Sequence, residues 1–410
     1  MSETPFQISI PDDRLALLQK KLELTVFPDE LEDAGREYGS PLSDVQRLAA
    51  RWLTGLASNG RDGLATGGRD GLVTNGRDGF DWRKQEAALN ADLPQFTRDI
   101  DVEGHGTLNI HYVHLKSAQP GAIPLCFVHG WPGSFIEVRK LGPLLTQGVE
   151  GQPSFHVVAM SLPGYGFSEQ PRKRGFGIPQ YAEVAHKLML ALSYDSYVAQ
   201  GGDWGSRITH EMSKAYGEKH VKAWHTNMPH VFNNEIQAEL FLQLSPEDKE
   251  LIKKADHWRA NEAGYNLLQS TKPQTLGYGM SDSPVGLLAW IYEKLVTWTD
   301  NYPWTDDEVL TWVSIYWFSR AGPTASFRIY YEKTHAPPVS NERSPIPLGF
   351  SIFPAEIVLA PKPLRDLLGN VVFEGIHDRG GHFAAYEVPE LLAGDLREMF
   401  GKGGPAYGVI

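Results

Sequence analysis

Five residues, Gly201-Gly202-Asp203-Trp204-Gly205, constrain this chain more than any other stretch. They follow a short apolar run, Tyr197 to Gln200, and precede a helical pattern beginning near Ser206, so the order predicts a strand, a tight turn and a helix in immediate succession. Glycines on both flanks let strand and helix approach closely and tolerate the strained backbone that lifts the central side chain into a pocket. Side chains presented this way sit at the carboxyl edge of an open, mostly parallel sheet. A glycine-flanked aspartate is by itself also an ordinary cap or loop residue, so its meaning depends on the rest of the chain.

The rest has the organisation such a sheet needs. Strand-like apolar runs occur at Leu108 to His114, Leu125 to Val128, His156 to Met160, Tyr197 to Gln200 and Val221 to Thr226, and return at Leu348 to Ile352 and Val371 to Ile376. Between the two groups, from Phe232 to Ser344, the pattern is helical and aromatic, with Trp290, Tyr292, Trp298, Trp312, Tyr316 and Trp317. A helical insertion between strands of one sheet places a cap over the sheet's carboxyl edge. Ahead of the first strand signals, residues 1–95 read as short helices and loops, Arg14 to Leu22 and Leu42 to Leu56 being the helices. The expected division is an extension over 1–95 that wraps core and cap, core over 96–231, cap over 232–344, and core again over 345–410. Within the extension Gly60-Arg61-Asp62-Gly63 recurs at Gly68 and Gly76, so 60–79 is expected to be a mobile surface insertion. Interleaved arginines argue against the alternative, calcium binding by its aspartates.

Charge and composition narrow the partners. A net charge of −12 spread without long single-sign runs excludes a polyanion such as nucleic acid and suits a small uncharged substrate. The one cysteine, Cys126, cannot form an internal disulfide, and its apolar neighbours mark it as buried core. The start lacks a secretory pattern, and no run approaches the ~20 apolar residues of a bilayer span. A soluble, cytoplasmic chain without a transmembrane anchor is therefore expected, and a homodimer is compatible with it. Leu15, Leu17, Leu18 and Leu22 with Lys20 and Lys21 can form a face for peripheral membrane attachment or, the preferred reading, for packing onto the main domain.

Two further motifs give Asp203 its context. His129-Gly130-Trp131-Pro132-Gly133-Ser134 directly follows the strand containing Cys126, where the loop would supply one backbone amide of an oxyanion hole, at Trp131; Trp204 would supply the second. His129 reads as a loop-stabilising residue. Gly380-Gly381-His382-Phe383 follows the last strand signal, giving the chain order nucleophile, acid, histidine. For the acid Glu356 is chosen, in the loop after Leu348 to Ile352, because the turn after Val221 to Thr226 offers Asn227-Met228-Pro229 and no carboxylate. Asp378 is the rival, closer along the chain but better read as a turn residue.

An aspartate nucleophile selects a reaction class. Serine attacking a saturated carbon would leave an ether that water cannot open, whereas a carboxylate leaves an ester that a histidine-activated water can hydrolyse at its carbonyl. Asp203 with His382 thus suggests displacement at an sp³ carbon, with an epoxide oxygen or a halide leaving. The oxygen leaves as a basic alkoxide and needs a proton, which tyrosine, with a pKa of about 10, can give. Tyr265 in Ala263-Gly264-Tyr265-Asn266 and Tyr330 in Phe327-Arg328-Ile329-Tyr330-Tyr331 have the right context within the cap.

These residues resemble the microsomal-type epoxide hydrolases, including their soluble fungal members. The resemblance runs from Pro11-Asp12-Asp13-Arg14-Leu15 through Phe80-Asp81-Trp82 to Gly381-His382-Phe383-Ala384-Ala385-Tyr386-Glu387. It includes the cap strings Gln269-Ser270-Thr271-Lys272-Pro273-Gln274-Thr275 and Asp282-Ser283-Pro284-Val285-Gly286-Leu287-Leu288-Ala289. It implies an α/β-hydrolase fold in which Asp203 is the nucleophile, His382 the water-activating base and Glu356 the charge-relay acid. Tyr265 and Tyr330 match the family's oxygen-activating tyrosines, with Tyr331 an adjacent alternative for the second. It further implies a small hydrophobic epoxide and water as reactants, and neither metal nor organic cofactor. A dehalogenase shares the first step and would release halide; a non-catalytic ligand-binding protein on the same fold would bind without turnover. The repeat at 60–79 and the lack of the animal members' membrane anchor are the departures.

Overall fold

The computed structural model describes residues 3–58, 79–229, 244–337 and 342–410, so residues 60–78 of the glycine-arginine-aspartate repeat lie outside the described residues. Nine strands among the described residues form one sheet: β1 (Thr4–Phe6), β2 (Gln95–Val102), β3 (Gly106–Leu115), β4 (Ile123–Val128), β5 (Phe155–Met160), β6 (Tyr197–Gly201), β7 (Val221–Thr226), β8 (Ser344–Ile352) and β9 (Gly369–Ile376). Their spatial order is β1-β2-β3-β5-β4-β6-β7-β8-β9. The first four in that order pair antiparallel, and every pair from β5 to β9 is parallel. The architecture is the expected α/β-hydrolase fold.

The central strands show why. In β4 the run Leu125-Cys126-Phe127-Val128 is buried on both faces, as a parallel strand covered by helices on either side must be. Cys126 is 1 % exposed, and burial pushes its thiol up to about 12, so it is core as expected. The seven strands read from apolar runs all form, extended by at most four residues. Two strands are additional. Gln95–Val102, at the expected boundary of extension and core and ahead of the first strand signal, pairs along its full length with β3, and Thr4–Phe6, in the extension read as helices and loops, adds an edge strand outside it. Asp99 and Asp101 keep one side of β2 exposed and polar while Ile100 and Val102 are buried on the other, where the half-buried Arg98 also stands and interrupts the apolar face.

The chain leaves the sheet after β7 and returns at β8. Between them lie the helices Pro246–Asn261, Gly264–Thr271, Pro273–Asp282, Pro284–Thr297, Asp306–Trp317 and Arg328–His335. Proline at the first turn opens three of these, where its missing N–H costs nothing and its fixed φ suits a helix. Thr305 and Glu308 form a reciprocal capping box at the start of Asp306–Trp317.

The extension ties down this helical layer. Helix Asp12–Glu23 buries Leu18 and Leu22 completely while Leu17 stays 49 % exposed, and helix Leu42–Ser58 buries Leu48 and Trp52. Each fully buried side chain of this size contributes about 1.5–3 kcal/mol, more than any surface ion pair beside it. Polar ties mark the same seam: Lys21 to Asp282 at 2.6 Å, Arg51 to Asp307 at 2.8 Å, and Arg14 to the Trp317 carbonyl at 3.2 Å. The apolar face of the first helix is thus used for packing. No helix among the described residues is long and apolar enough to cross a membrane.

Candidate active site

Asp203 stands between β6 and the helix Trp204–Ala215, with φ 49° and ψ −124°. That left-handed backbone is strained for any residue with a Cβ, and its neighbours make it possible. A Cβ on Gly205 would lie 1.8 Å from the Val128 carbonyl oxygen, so only glycine lets this helix start against β4. The same is true across the turn, where a Cβ on Gly130 would lie 2.1 Å from Asp203 Oδ1. The carboxylate is held up into a small cavity lined by Gly130, Trp131, Glu137, Asp203, His382 and Phe383.

The loop after β4 meets it there. Trp131 N–H donates to Asp203 Oδ1 at 2.7 Å, and the Trp204 amide also favours the ionised carboxylate. Both residues expected to supply oxyanion amides therefore point their N–H groups at Asp203. His129 does what its position suggested: it is 1 % exposed, donates from Nδ1 to Gly130 O at 2.9 Å and accepts the Leu162 N–H at Nε2, 3.1 Å. Burial lowers its pKa to about 4, so it stays neutral. The loop is also gripped from above. Trp312 Nε1 donates to Pro132 O at 2.5 Å and Tyr316 Oη to Gly133 O at 2.6 Å.

His382 follows β9, at the turn Gly380-Gly381. Its N–H donates to the Trp298 carbonyl at 2.8 Å, and its ring lies edge-on to the Trp298 indole at 4.9 Å. Nδ1 donates to Glu356 Oε1 at 2.7 Å, and Nε2 faces Asp203 Oδ2 at 3.6 Å. Glu356, in the loop after β8, has a side chain with no exposure; Asp378, the rival, is exposed in a bend. Burial draws the His382 pKa down, but the carboxylates of Glu356, Asp203 and Glu137 outweigh it and hold it at about 9. Burial raises the Asp203 pKa above its usual value, against the opposing pull of His382 and the two amides.

The two cap tyrosines converge from above. Tyr265, in the first turn of Gly264–Thr271, is 5 % exposed and stacks on Trp131 with ring centroids 5.2 Å apart. Tyr330, in Arg328–His335, is 1 % exposed and meets the Trp204 ring edge-on at 4.7 Å. Their rings lie 6.0 Å apart, and the Tyr330 hydroxyl is buried beside Tyr265 and Trp204. Burial and the nearby Asp203 charge hold both phenols well above 10, so both stay protonated; Tyr330 is raised by Tyr265 as well. Tyr331 points away and stacks on His335 at 4.0 Å. Of the adjacent pair, Tyr330 is the one that faces the site.

Sequence reading missed one group. Glu137 lines the cavity, capping its own short helix by accepting the Ser134 N–H at 3.1 Å, and burial raises its pKa to about 8. Ser134-Phe135-Ile136-Glu137 has the spacing of a capping box, but that pattern announces a helix start rather than a carboxyl in a site.

Comparisons with known proteins show what the chain as a whole is similar to. Residues 3–138 match the family model described as epoxide hydrolase N terminus, and residues 123–286 match that of the alpha/beta hydrolase fold. A putative epoxide hydrolase of Stigmatella aurantiaca is 36 % identical over 407 residues, 97 % of this chain and 84 % of that one. Epoxide hydrolase 1 of Sus scrofa is 35 % identical over 433 residues, with 97 % and 88 % covered. Among solved structures, Aspergillus niger epoxide hydrolase superposes with a TM-score of 0.78 at 32 % identity, covering 97 % of this chain and 95 % of that one. Juvenile hormone epoxide hydrolase from the silkworm Bombyx mori does so with a TM-score of 0.81 at 27 % identity, covering 96 % and 93 %.

Proposed function

On the premise that the chain belongs to the microsomal-type epoxide hydrolase family and is an epoxide hydrolase, we propose that Asp203 opens the epoxide as a nucleophile and His382 releases the diol. The observation that carries this reading is the pairing of Asp203 on a strained turn with His382 Nε2 at 3.6 Å, while Nδ1 is occupied by Glu356.

In the first step Asp203 attacks one epoxide carbon, the carbon–oxygen bond breaks, and the departing oxygen takes a proton from Tyr265 or Tyr330. Two phenols held protonated beside each other suit an alkoxide, which is basic enough to accept that proton. Desolvation makes the carboxylate a stronger nucleophile than it is in water.

In the second step water attacks the carbonyl carbon of the Asp203 ester. His382 Nε2 takes the water's proton, and the Trp131 and Trp204 amides hold the tetrahedral oxyanion. Its collapse breaks the bond to the substrate oxygen, which leaves protonated as the diol and frees the Asp203 carboxylate, while the proton held on His382 passes to the phenolate left by the first step. Esterification removes the Asp203 charge that helps to hold the imidazole at about 9, so its pKa falls when a base is needed. Glu356 fixes the tautomer and stabilises the imidazolium. The apolar surround of Trp131, Tyr265, Trp298 and Phe383 favours a small hydrophobic epoxide.

The test is diol formation from styrene oxide by the purified chain and its Asp203→Ala variant. Diol from the first and none from the second is expected; equal diol from both would remove Asp203 from the reaction. Halide release from a haloalkane, with no diol from any epoxide, would instead favour dehalogenation.

A further inference from the structure

One buried cation has no part in the scheme above. Trp290, Lys294 and Trp298 follow one another at intervals of four residues along and just past helix Pro284–Thr297, which sets them on one face. Lys294 Nζ lies over the Tyr265 ring, 4.8 Å from its centroid, and 5.8 Å from the centroids of both Trp290 and Trp298. The residue is 3 % exposed, although its flexible stem would ordinarily carry the ammonium to water. It donates to the carboxylate of its neighbour Glu293, whose side chain remains 25 % exposed. Burying an ammonium is costly, and an apolar side chain of similar length would fill this space at lower cost if packing were the only requirement.

We propose that Lys294 assists proton donation by Tyr265, its charge over the phenol ring stabilising the negative charge that the ring gains as its proton moves to the opening epoxide. The inference rests on the reading of Tyr265 as a proton donor. In that step the Tyr265 O–H bond breaks, its proton joins the epoxide oxygen as the carbon–oxygen bond breaks, and Asp203 forms the new bond to carbon. Lys294 keeps all its protons. Before reaction the ammonium meets only the ring quadrupole; as phenolate character grows, the attraction becomes one between opposite charges. An interaction that strengthens towards the transition state raises the rate of ester formation rather than the affinity for substrate. Trp131, stacked on the same ring, already fixes the ring's position, which leaves an electrostatic task for the lysine. Lys294 is therefore a positioning residue, acting through Tyr265.

The experiment measures ester formation and ester hydrolysis separately in single turnovers with styrene oxide, for Lys294→Met and Lys294→Arg in the full chain and in the Tyr265→Phe variant. Lys294→Gln serves the same comparison should the methionine variant fail to fold. The neutral variants should slow ester formation on the order of tenfold, leave hydrolysis unchanged, and add no loss in the Tyr265→Phe chain; arginine should restore most of the rate. Equal losses in both backgrounds, a loss confined to hydrolysis, or an unchanged rate would overturn the proposal. If Tyr265→Phe alone forms ester at the full rate, the reading of Tyr265 as donor fails first, and the role of Lys294 falls with it.

Discussion

His382 Nε2 and Asp203 Oδ2 stand 3.6 Å apart, too far for a good hydrogen bond and close enough for a strong ion pair. An imidazole so placed is aimed at the carboxyl group without being locked to it, which is what two-step chemistry on that carboxyl requires.

Removing the imidazole should therefore separate the steps. His382→Gln is expected to undergo a single alkylation and then stall, gaining the mass of one substrate on an intact-mass spectrum. Turnover by this variant at the wild-type rate would show that another group activates the water.

The two phenols should share one task. Tyr265→Phe and Tyr330→Phe are each expected to slow ester formation by at least about tenfold, and the double variant by on the order of 10²–10⁴. Tyr331→Phe, whose ring stacks on His335 away from the site, should react as wild type. Rapid-mixing measurement of ester formation distinguishes the three.

The pH profile should carry two limbs. Ester formation needs ionised Asp203, whose pKa is raised by burial, so its rate falls as pH drops through a value above the ordinary aspartate range. Ester hydrolysis needs neutral His382, so its rate rises with pH and levels off below about 9, because the esterified Asp203 no longer raises the imidazole. Glu356→Gln removes a second upward influence and should move that limb to lower pH while lowering the plateau. Single-turnover rates across pH, rather than steady-state rates, separate the limbs.

The turn that carries Asp203 should be intolerant of any side chain at Gly205. Gly205→Ala places a methyl against the Val128 carbonyl and is expected to cost about 1–3 kcal/mol or more. A urea midpoint that matches wild type would mean that the helix can shift to make room.

Much of this was legible in the chain because the chemistry sits in short motifs attached to strands. Asp203, the His129–Ser134 loop and His382 each follow a strand that announces itself as an apolar run, and their order along the chain places them at one sheet edge. Glu356 was legible by elimination, since the turn after β7 opens on Asn227 and holds no carboxylate; Asn227 accepts from Gln200 and reaches the His382 carbonyl. What was hidden depends on tertiary packing. In β2 Arg98 stands on the same face as Phe96, Ile100 and Val102, so a charge interrupts the apolar side and masks the alternation. Trp312 and Tyr316 read as cap aromatics, and only their contacts make them props of the Pro132–Gly133 backbone. Glu137 and Lys294 were invisible for the same reason: nothing local distinguishes a charge that faces a cavity or a ring from one that faces water.

The measurement that tests the central claim most directly is one turnover of excess protein on styrene oxide in heavy-oxygen-labelled water. If water attacks the Asp203 ester, the label enters the Asp203 carboxylate and the first diol carries none, with labelled diol appearing only on later turnovers. Label in the diol of the first turnover, with none on Asp203, would mean that water opens the epoxide directly and would contradict the ester mechanism.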